Sequence, residues 1–447
     1  MRSGFNRSRT RVLATIGIAA AFLTAACGSS SSGANQASAP GVTATSVTIG
    51  STQPLTGPAA AGYSEIAPAA NAYFKYVNAH GGVNHRTINY TYLDDGYNPT
   101  NTATQTKKLV LQDNVFAIFG ALGTPTHLAV VNYINSEKIP DLFVASGCNC
   151  WNDVSKYPET FGWQPDYTIE GKILGQYINQ NFAGKKVGFF AQGPNDEFGT
   201  DGILGVTDEL QNGDVTLLPT PQYYTPTAAG AMAVGTAIAA LQAAGAQVIV
   251  SFSVPLFTAV ALASAAGLNY HPTFVVSNVG SDPATLTGIL TGGALGTKLP
   301  GALIDGIVTD SYLPLASDST NPWISLFQGI KNTYAPSLPW DGNVLYGMAE
   351  AYTFVQALKA AGQNPTRASI VAAVQNGKWT DGPGLAPYGY SSSNHLGFLG
   401  VQMAIIGTDG AATTAGPVQV TTDNASSAIT TYTGTPSTPP ASGIPSD

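Results

Sequence analysis

Charge is scarce in this sequence: only 10% of its 447 residues are Asp, Glu, Lys or Arg, and the formal net charge is −8. No basic face is available for a phosphate backbone, so nucleic acid is not an expected partner. Cysteine is scarcer still, with three residues in all. Two of these, Cys148 and Cys150, stand i, i+2 in "ASGCNCW". A structural zinc needs about four ligands, and the pair has no CxxC or histidine cluster beside it. His80, His85, His127, His271 and His395 are scattered, so neither a metal nor another cofactor is expected. Catalytic signatures are missing too. No GxSxG, HExxH or GxGxxG falls where its chemistry requires it, and "TGGALGTK" leaves one residue between Gly296 and Lys298, which rules out a phosphate loop. Past the N-terminus no apolar run is long enough to cross a bilayer. Redox enzyme, metalloenzyme and hydrolase are all disfavoured, and a non-enzymatic role is expected.

The N-terminus carries an address. Arg2, Arg7, Arg9 and Arg11 precede an acid-free apolar run, Val12–Phe22, which is too short for a membrane span. Small residues then lead to Cys27 in "LTAAC". This resembles a bacterial lipobox, with Thr24 three positions before the cysteine and Leu23 one earlier. Residues 1–26 read as a signal peptide and 27–45, "GSSSSGANQASAPG" included, as a lipid anchor and flexible tether. Acylation of Cys27 would hold the body outside the cell, on the membrane. In that compartment Cys148 and Cys150 are free to form a disulfide; the alternative is two free thiols, one of them packed in the core.

From Val47 strand and helix patterns alternate. "VTIGSTQPLTG" opens as a strand, and Ile66, Ala70, Tyr73, Phe74 and Val77 recur at helical spacing until "HGG" stops them. "RTINYTYLDDG", "VFAIFG" and "PDLFVAS" read as further strands, separated by helices over "TQTKKLVLQDN" and "HLAVVNYINSEK". The pattern restarts with strands "KKVGFFAQ", "AQVIVSFS", "PTFVVSN" and "IDGIVTDSY" between helices. Two late helices and a hairpin-like "GFLGVQMAIIGTDG" close the fold; the Thr/Ser/Pro-rich residues 411–447 are expected to be poorly ordered. Strands joined by crossover helices make parallel sheets, so the expectation is an α/β protein of two doubly wound lobes. In such sheets ligands sit beyond the carboxyl ends of the strands. "GALGTPT", "ASGCNCW", "GPNDEFG" and "NVGSD" fall there, and they gather hydroxyls, amides and glycines. Asp94 and Asp95 read as caps of the turn before "GYNP", His127 as a helix-start surface histidine, and Trp151 and Trp163 as hinge packing.

The order "TGPAAAGYSEI", "NAHGGVNHRTI", "LDDGYNPTNT", "GALGTPTH", "PDLFVASG" and "ALKAAGQNPTR" resembles the solute-binding proteins of the branched-chain amino acid type, which serve ABC importers. The likeness runs from about Ser46 to Gly410. It implies a type I periplasmic-binding-protein fold with a three-crossover hinge: an N-terminal lobe of residues 46–163 and 311–383, and a C-terminal lobe of 164–310 and 384–410. It also implies a ligand closed between the lobes. The ligand set carried over by position is Tyr63, Gly123, Thr124, Gly147, Asn149, Tyr167, Phe198, Phe252 and Asn278, with the Thr124 hydroxyl gripping a ligand carboxylate and Asn149 pointing into the cleft.

Departures from that pattern bear on the ligand. Phe198 stands where amino-acid binders place a tyrosine, and a second expected tyrosine falls near Val254, beside Phe252. The acidic partner of a ligand ammonium falls on neutral Asn278 or Ser277. A buried, unbalanced ammonium is costly, so an apolar or aromatic acid, or a neutral amide, is expected rather than a free branched-chain amino acid, unless Glu65 or Asp94 supplies the charge. The resemblance further implies a small-molecule ligand, permease subunits and a cytoplasmic ATPase as partners, and a monomeric receptor. An extracytoplasmic sensor is the alternative, and an exported α/β hydrolase a weaker one.

Overall fold

The alternating strand and helix patterns fold into two sheets. In the computed structural model, which describes residues 34–211, 213–377 and 381–446, the first sheet holds β1 (Ser46–Gln53), β2 (Thr87–Asp94), β3 (Ile118–Phe119), β4 (Asp141–Val144) and β5 (Thr160–Gly162). Their order is β2-β1-β3-β4-β5, and every neighbour is parallel. The second sheet holds β6 (Lys186–Gln192), β7 (Thr216–Leu217), β8 (Gln222–Tyr224), β9 (Val248–Phe252), β10 (Thr273–Val276), β11 (Val308–Ser311), β12 (Gly400–Ile406), β13 (Ala412–Val420) and β14 (Thr430–Thr431). It runs β14-β13-β12-β11-β10-β9-β6-β7, with β8 also on β6; the strands from β12 onward are antiparallel. The signal peptide and Cys27 lie outside the described residues.

Each sheet buries its apolar strands under helices. In the first, Phe74, Tyr90, Phe119 and Phe354 meet with ring centroids 5.1–5.8 Å apart, edge-on or tilted, the arrangement that aromatic quadrupoles favour. The helix expected over "HLAVVNYINSEK" is two pieces, Thr124–Leu128 and Val131–Ser136, broken at Val130, whose φ of −125° is not helical.

The chain passes between the sheets after β5, after β11 and before β12, and the three passages are bonded to one another. Gly162 N–H donates to His395 O at 3.1 Å, Phe398 N–H to Trp163 O at 3.1 Å, and Leu385 N–H to Tyr312 O at 2.8 Å. The Trp163 ring fills the space between them against Tyr312, Tyr346 and Phe398, and its Nε1–H donates to Thr353 Oγ1. Gly397 is required here, because a Cβ would lie 1.9 Å from Trp163 O.

Two expectations of disorder are corrected. The tether is held from Asn35 onward: Asn35 Nδ2 donates to Ala44 O and Asn84 O, Gln36 N–H to Asn364 Oδ1, and Ser38 Oγ to Pro365 O. The C-terminal segment is ordered as well, because β12 offers a free edge that β13 and β14 extend. Buried Lys172, on the helix Tyr167–Asn181, needs acceptors, and the segment supplies them. Its Nζ donates to Thr421 Oγ1, Thr422 O, Asn424 O and Ser427 O at 2.8–3.2 Å. Residues 437–444 then cross to the first lobe, where Trp323 Nε1–H donates to Ser437 O, Tyr76 Oη to Ser442 O and Tyr73 Oη to Gly443 O. Low hydrophobicity read as disorder; a buried cation and an open sheet edge override it.

Lys172→Met should therefore leave the buried Thr421 hydroxyl and three part-buried carbonyls without their donor, a loss of roughly 1–3 kcal/mol. The expected result is a lower melting temperature together with early cleavage near residues 421–430 in limited proteolysis.

Candidate functional site

Beyond the carboxyl ends of both sheets lies a cavity of about 300 Å³. The first lobe contributes Tyr63, Ile66, Tyr97, Leu122, Gly123 and Tyr346; the second contributes Tyr167, Phe198, Val254, Asn278 and Asp310. The passage after β11 adds Tyr312, Leu313 and Leu315. Four hydrogen bonds join the lobes around it: Tyr63 Oη to Val279 O at 2.6 Å, Asn343 Nδ2 to Thr285 Oγ1 at 2.9 Å, Gly342 N–H to Asp282 Oδ2 at 2.9 Å, and Gln192 Nε2 to Tyr97 Oη at 3.3 Å.

Five of the residues expected from sequence, Tyr63, Gly123, Tyr167, Phe198 and Asn278, line this cavity. Four do not. Thr124 and Gly147 lie behind Tyr167. Thr124 shares a 2.7 Å bond with Ser146 Oγ, and the Tyr167 hydroxyl faces both hydroxyls and the Gly147 N–H. The tyrosine is thus already seated where a ligand carboxylate was expected. A Cβ on Gly147 would come within 2.3 Å of Pro165 O, so glycine permits this close approach. Asn149 does not point into the cleft. Its N–H donates to Asp201 Oδ2 at 3.1 Å and its side chain reaches toward Thr168, tying the loop to the second lobe. Phe252 is buried behind Phe198, ring centroids 6.1 Å apart.

The other singled-out residues are structural. The sulfurs of Cys148 and Cys150 are bonded as a disulfide. His127 is buried, not on the surface: its Nε2 sits 2.7 Å from Asp141 Oδ2, with the ring edge-on to Trp151. Asp94 accepts from the N–H groups of Leu55, Thr56 and Gly96, and Asp95 from Tyr97 N–H and Thr102 Oγ1, which are turn caps.

Sequence reading missed the acids. Asp310, Asp282 and Asp341 all line the cavity, and no Lys, Arg or His does among the described residues. Asn278 organises one pair: its N–H and Nδ2 donate to Glu170 Oε1 at 2.9 and 2.8 Å, and to Asp310 Oδ1 and Oδ2 at 3.2 and 3.0 Å. Burial, then the neighbouring Asp310 charge, pushes Glu170 well above the usual carboxyl range. Burial raises Asp310 to about 6, against the lowering effect of hydrogen bonds from Glu170 and Asn278. Burial, the Asp282 charge and the Glu65 carboxyl raise Asp341 to about 8. Asp310 was legible as the polar residue at the end of the strand "IVTDSY". Asp282 and Asp341 also cap helices, Pro283–Gly292 and Gly342–Ala360. Glu170 carries no signal in the sequence.

These shifts set a pH dependence. Burial also raises Asp166 to about 8 and Asp201 to about 7. Each such acid holds in the folded state a proton that the unfolded chain releases, so stability is present at low pH and lost as pH rises through 8. His395, buried and lowered from 6.5 to about 4, opposes this only below 6.5. Between pH 8 and 6.5 the acids act alone. The melting temperature of the ligand-free protein should rise over that interval as pH is lowered, as read by calorimetry. Gly147→Ala should cost roughly 1–3 kcal/mol through its clash with Pro165 O, seen as a lower denaturation midpoint.

Residues 46–412 match the family model described as periplasmic binding protein. Among solved structures, the chain is similar to a possible leucine/isoleucine/valine-binding protein from Rhodopirellula baltica, at 22% identity and TM-score 0.73, over 83% of this chain and 96% of that one. It is similar also to a fatty acid ABC transporter substrate-binding protein from Thermomonospora curvata, at 21% identity and TM-score 0.71, over 84% and 93% of the two chains. A branched-chain amino acid ABC transporter protein from Thermus thermophilus with bound valine aligns at 20% identity and TM-score 0.69, over 83% and 96%. No curated protein matches. With four-fifths of its length inside the family match and both parallel sheets in the family's arrangement, the chain belongs to the type I periplasmic binding proteins.

Proposed function

We propose that this protein is the extracytoplasmic solute-binding receptor of an ABC importer, a monomer held to the membrane by acylated Cys27, which captures a small and largely apolar solute and delivers it to permease subunits. The observation that carries the reading is the cavity itself. It is enclosed by residues from both lobes, its walls are mostly apolar or aromatic, with tyrosines and leucines prominent, and hydrogen bonds from lobe to lobe close around it. Enclosure from two sides gives a solute differential affinity for the closed form, and differential affinity is what shifts a two-state equilibrium. Among relatives of this fold, one structure holds valine and another is named for fatty acids, which brackets a wide range of apolar bodies. A free carboxylate fits poorly here. Among the described residues no cation lines the cavity, and the Tyr167 hydroxyl fills the position beside Thr124 and Gly147.

Two measurements test this. In a thermal-shift screen of organic solutes, a binder present at a hundredfold excess over its Kd adds about 2.7 kcal/mol of stability. Small-angle scattering should show contraction with the same solute; a radius of gyration unmoved by every binder would overturn the receptor reading. Tyr63→Phe and Asn343→Ala each remove one hydrogen bond across the seam and should weaken solute affinity by roughly 2–10-fold, measured by calorimetric titration.

A further inference from the structure

We propose that the solute carries a protonated amine with no carboxylate beside it, attached to an apolar or aryl body, and that Asp310 is the group that holds the amine. The inference rests on the receptor reading above and names its ligand class.

Asp310 stands at the end of β11 with its side chain on the cavity wall, only 3% exposed. Both of its oxygens accept from Asn278, which fixes the carboxylate in one orientation. Behind it sits Glu170, wholly buried, whose Oε1 takes two donors from Asn278 while its Oε2 receives none. A buried carboxyl oxygen without a donor is satisfied by its own proton, and the neighbouring acceptor is Asp310. Glu170 is therefore the neutral acid and Asp310 the anion.

A buried anion ordinarily has a cationic partner, and this one has none. Within the described residues the one Lys or Arg paired with a carboxylate is Lys108, on Asp113, remote from the cavity. The one buried ammonium near the second sheet, Lys172, is already enclosed by the C-terminal carbonyls. The missing positive charge thus falls to whatever enters the cavity. The walls favour the same charge: the rings of Tyr63, Tyr97, Tyr312 and Tyr346 line the space, and ring faces attract cations.

A carboxylate on the same solute is excluded for two reasons. Any anion in the cavity faces Asp310 and Asp282, and among the described residues no base lines the cavity to offset them. And the hydroxyl pair Thr124–Ser146, with the Gly147 N–H, faces the hydroxyl of Tyr167.

The test uses two matched sets of probes with the full chain: phenethylamine, phenethyl alcohol, hydrocinnamate and phenylalanine; and octylamine, octanol and octanoate. Titration calorimetry and thermal shift should rank the amine of at least one set roughly tenfold or more above its alcohol, acid and amino-acid counterparts, the size of a charge-assisted hydrogen bond. Asp310→Asn should abolish that preference while alcohol binding persists, which also reports that the variant is folded. Glu170→Gln, which keeps an acceptor for Asn278 and a donor for Asp310, should retain amine binding. An acid or alcohol that binds more tightly than its amine overturns this proposal and leaves the receptor reading standing. So does an Asp310→Asn variant with the preference unchanged, or a Glu170→Gln variant that loses it. If no probe of any class binds and the scattering curve never contracts, the receptor reading fails as well.

Discussion

The structure turns on the cost of burying carboxyl groups where no cation reaches them. Asp166, Glu170, Asp201, Asp310, Asp341 and Glu350 are all nearly inaccessible to water, and among the described residues none is paired with a lysine or arginine. An isolated ionised carboxylate in such surroundings is expensive, so most of these groups keep their protons. Many of the chain's few acids stand at helix starts and cavity walls, while others, Glu137, Asp153, Asp305 and Asp318 among them, stay on the surface. Asp166, Asp282 and Asp341 show the economy of this arrangement, each capping a helix while also setting the polarity of the interior.

The hinge makes that interior possible. Three passages between the sheets bond to each other through backbone groups and share the Trp163 ring as filler. Tyr312 and Tyr346 touch that ring and also line the cavity. The packing that fixes the hinge is therefore continuous with the cavity wall. A rigid pivot with a mobile partner on each side is the arrangement hinge closure needs.

Much of this was legible in the residues. Strand and helix alternation gave the sheets because parallel strands are uniformly apolar and their crossovers are periodic. The short strands β5, β7 and β8 were not legible: two or three residues carry no period. The site was half readable. Tyr63, Tyr167, Phe198 and Asn278 follow from strand ends and resemblance, since loops at those ends are free to face a ligand. Thr124 and Asn149 misled because a short polar side chain can turn to a neighbour, here Ser146 and Thr168, instead of to the cleft. Glu170 stands in the first turn of the helix Tyr167–Asn181, where an acid suits the helix dipole and sequence says nothing about what packs against it.

The C-terminal segment has a mechanical consequence. Tyr432 is bonded to β13 in one lobe, and Ser437 receives the Trp323 indole in the other. Five residue steps separate these anchors, and an extended chain covers at most about 3.6 Å per residue. The two attachment points therefore cannot part by more than roughly 18 Å while both fastenings hold. A belt of fixed length is thus stitched across the joint, and how widely the molecule gapes is written into the spacing between a tyrosine and a serine.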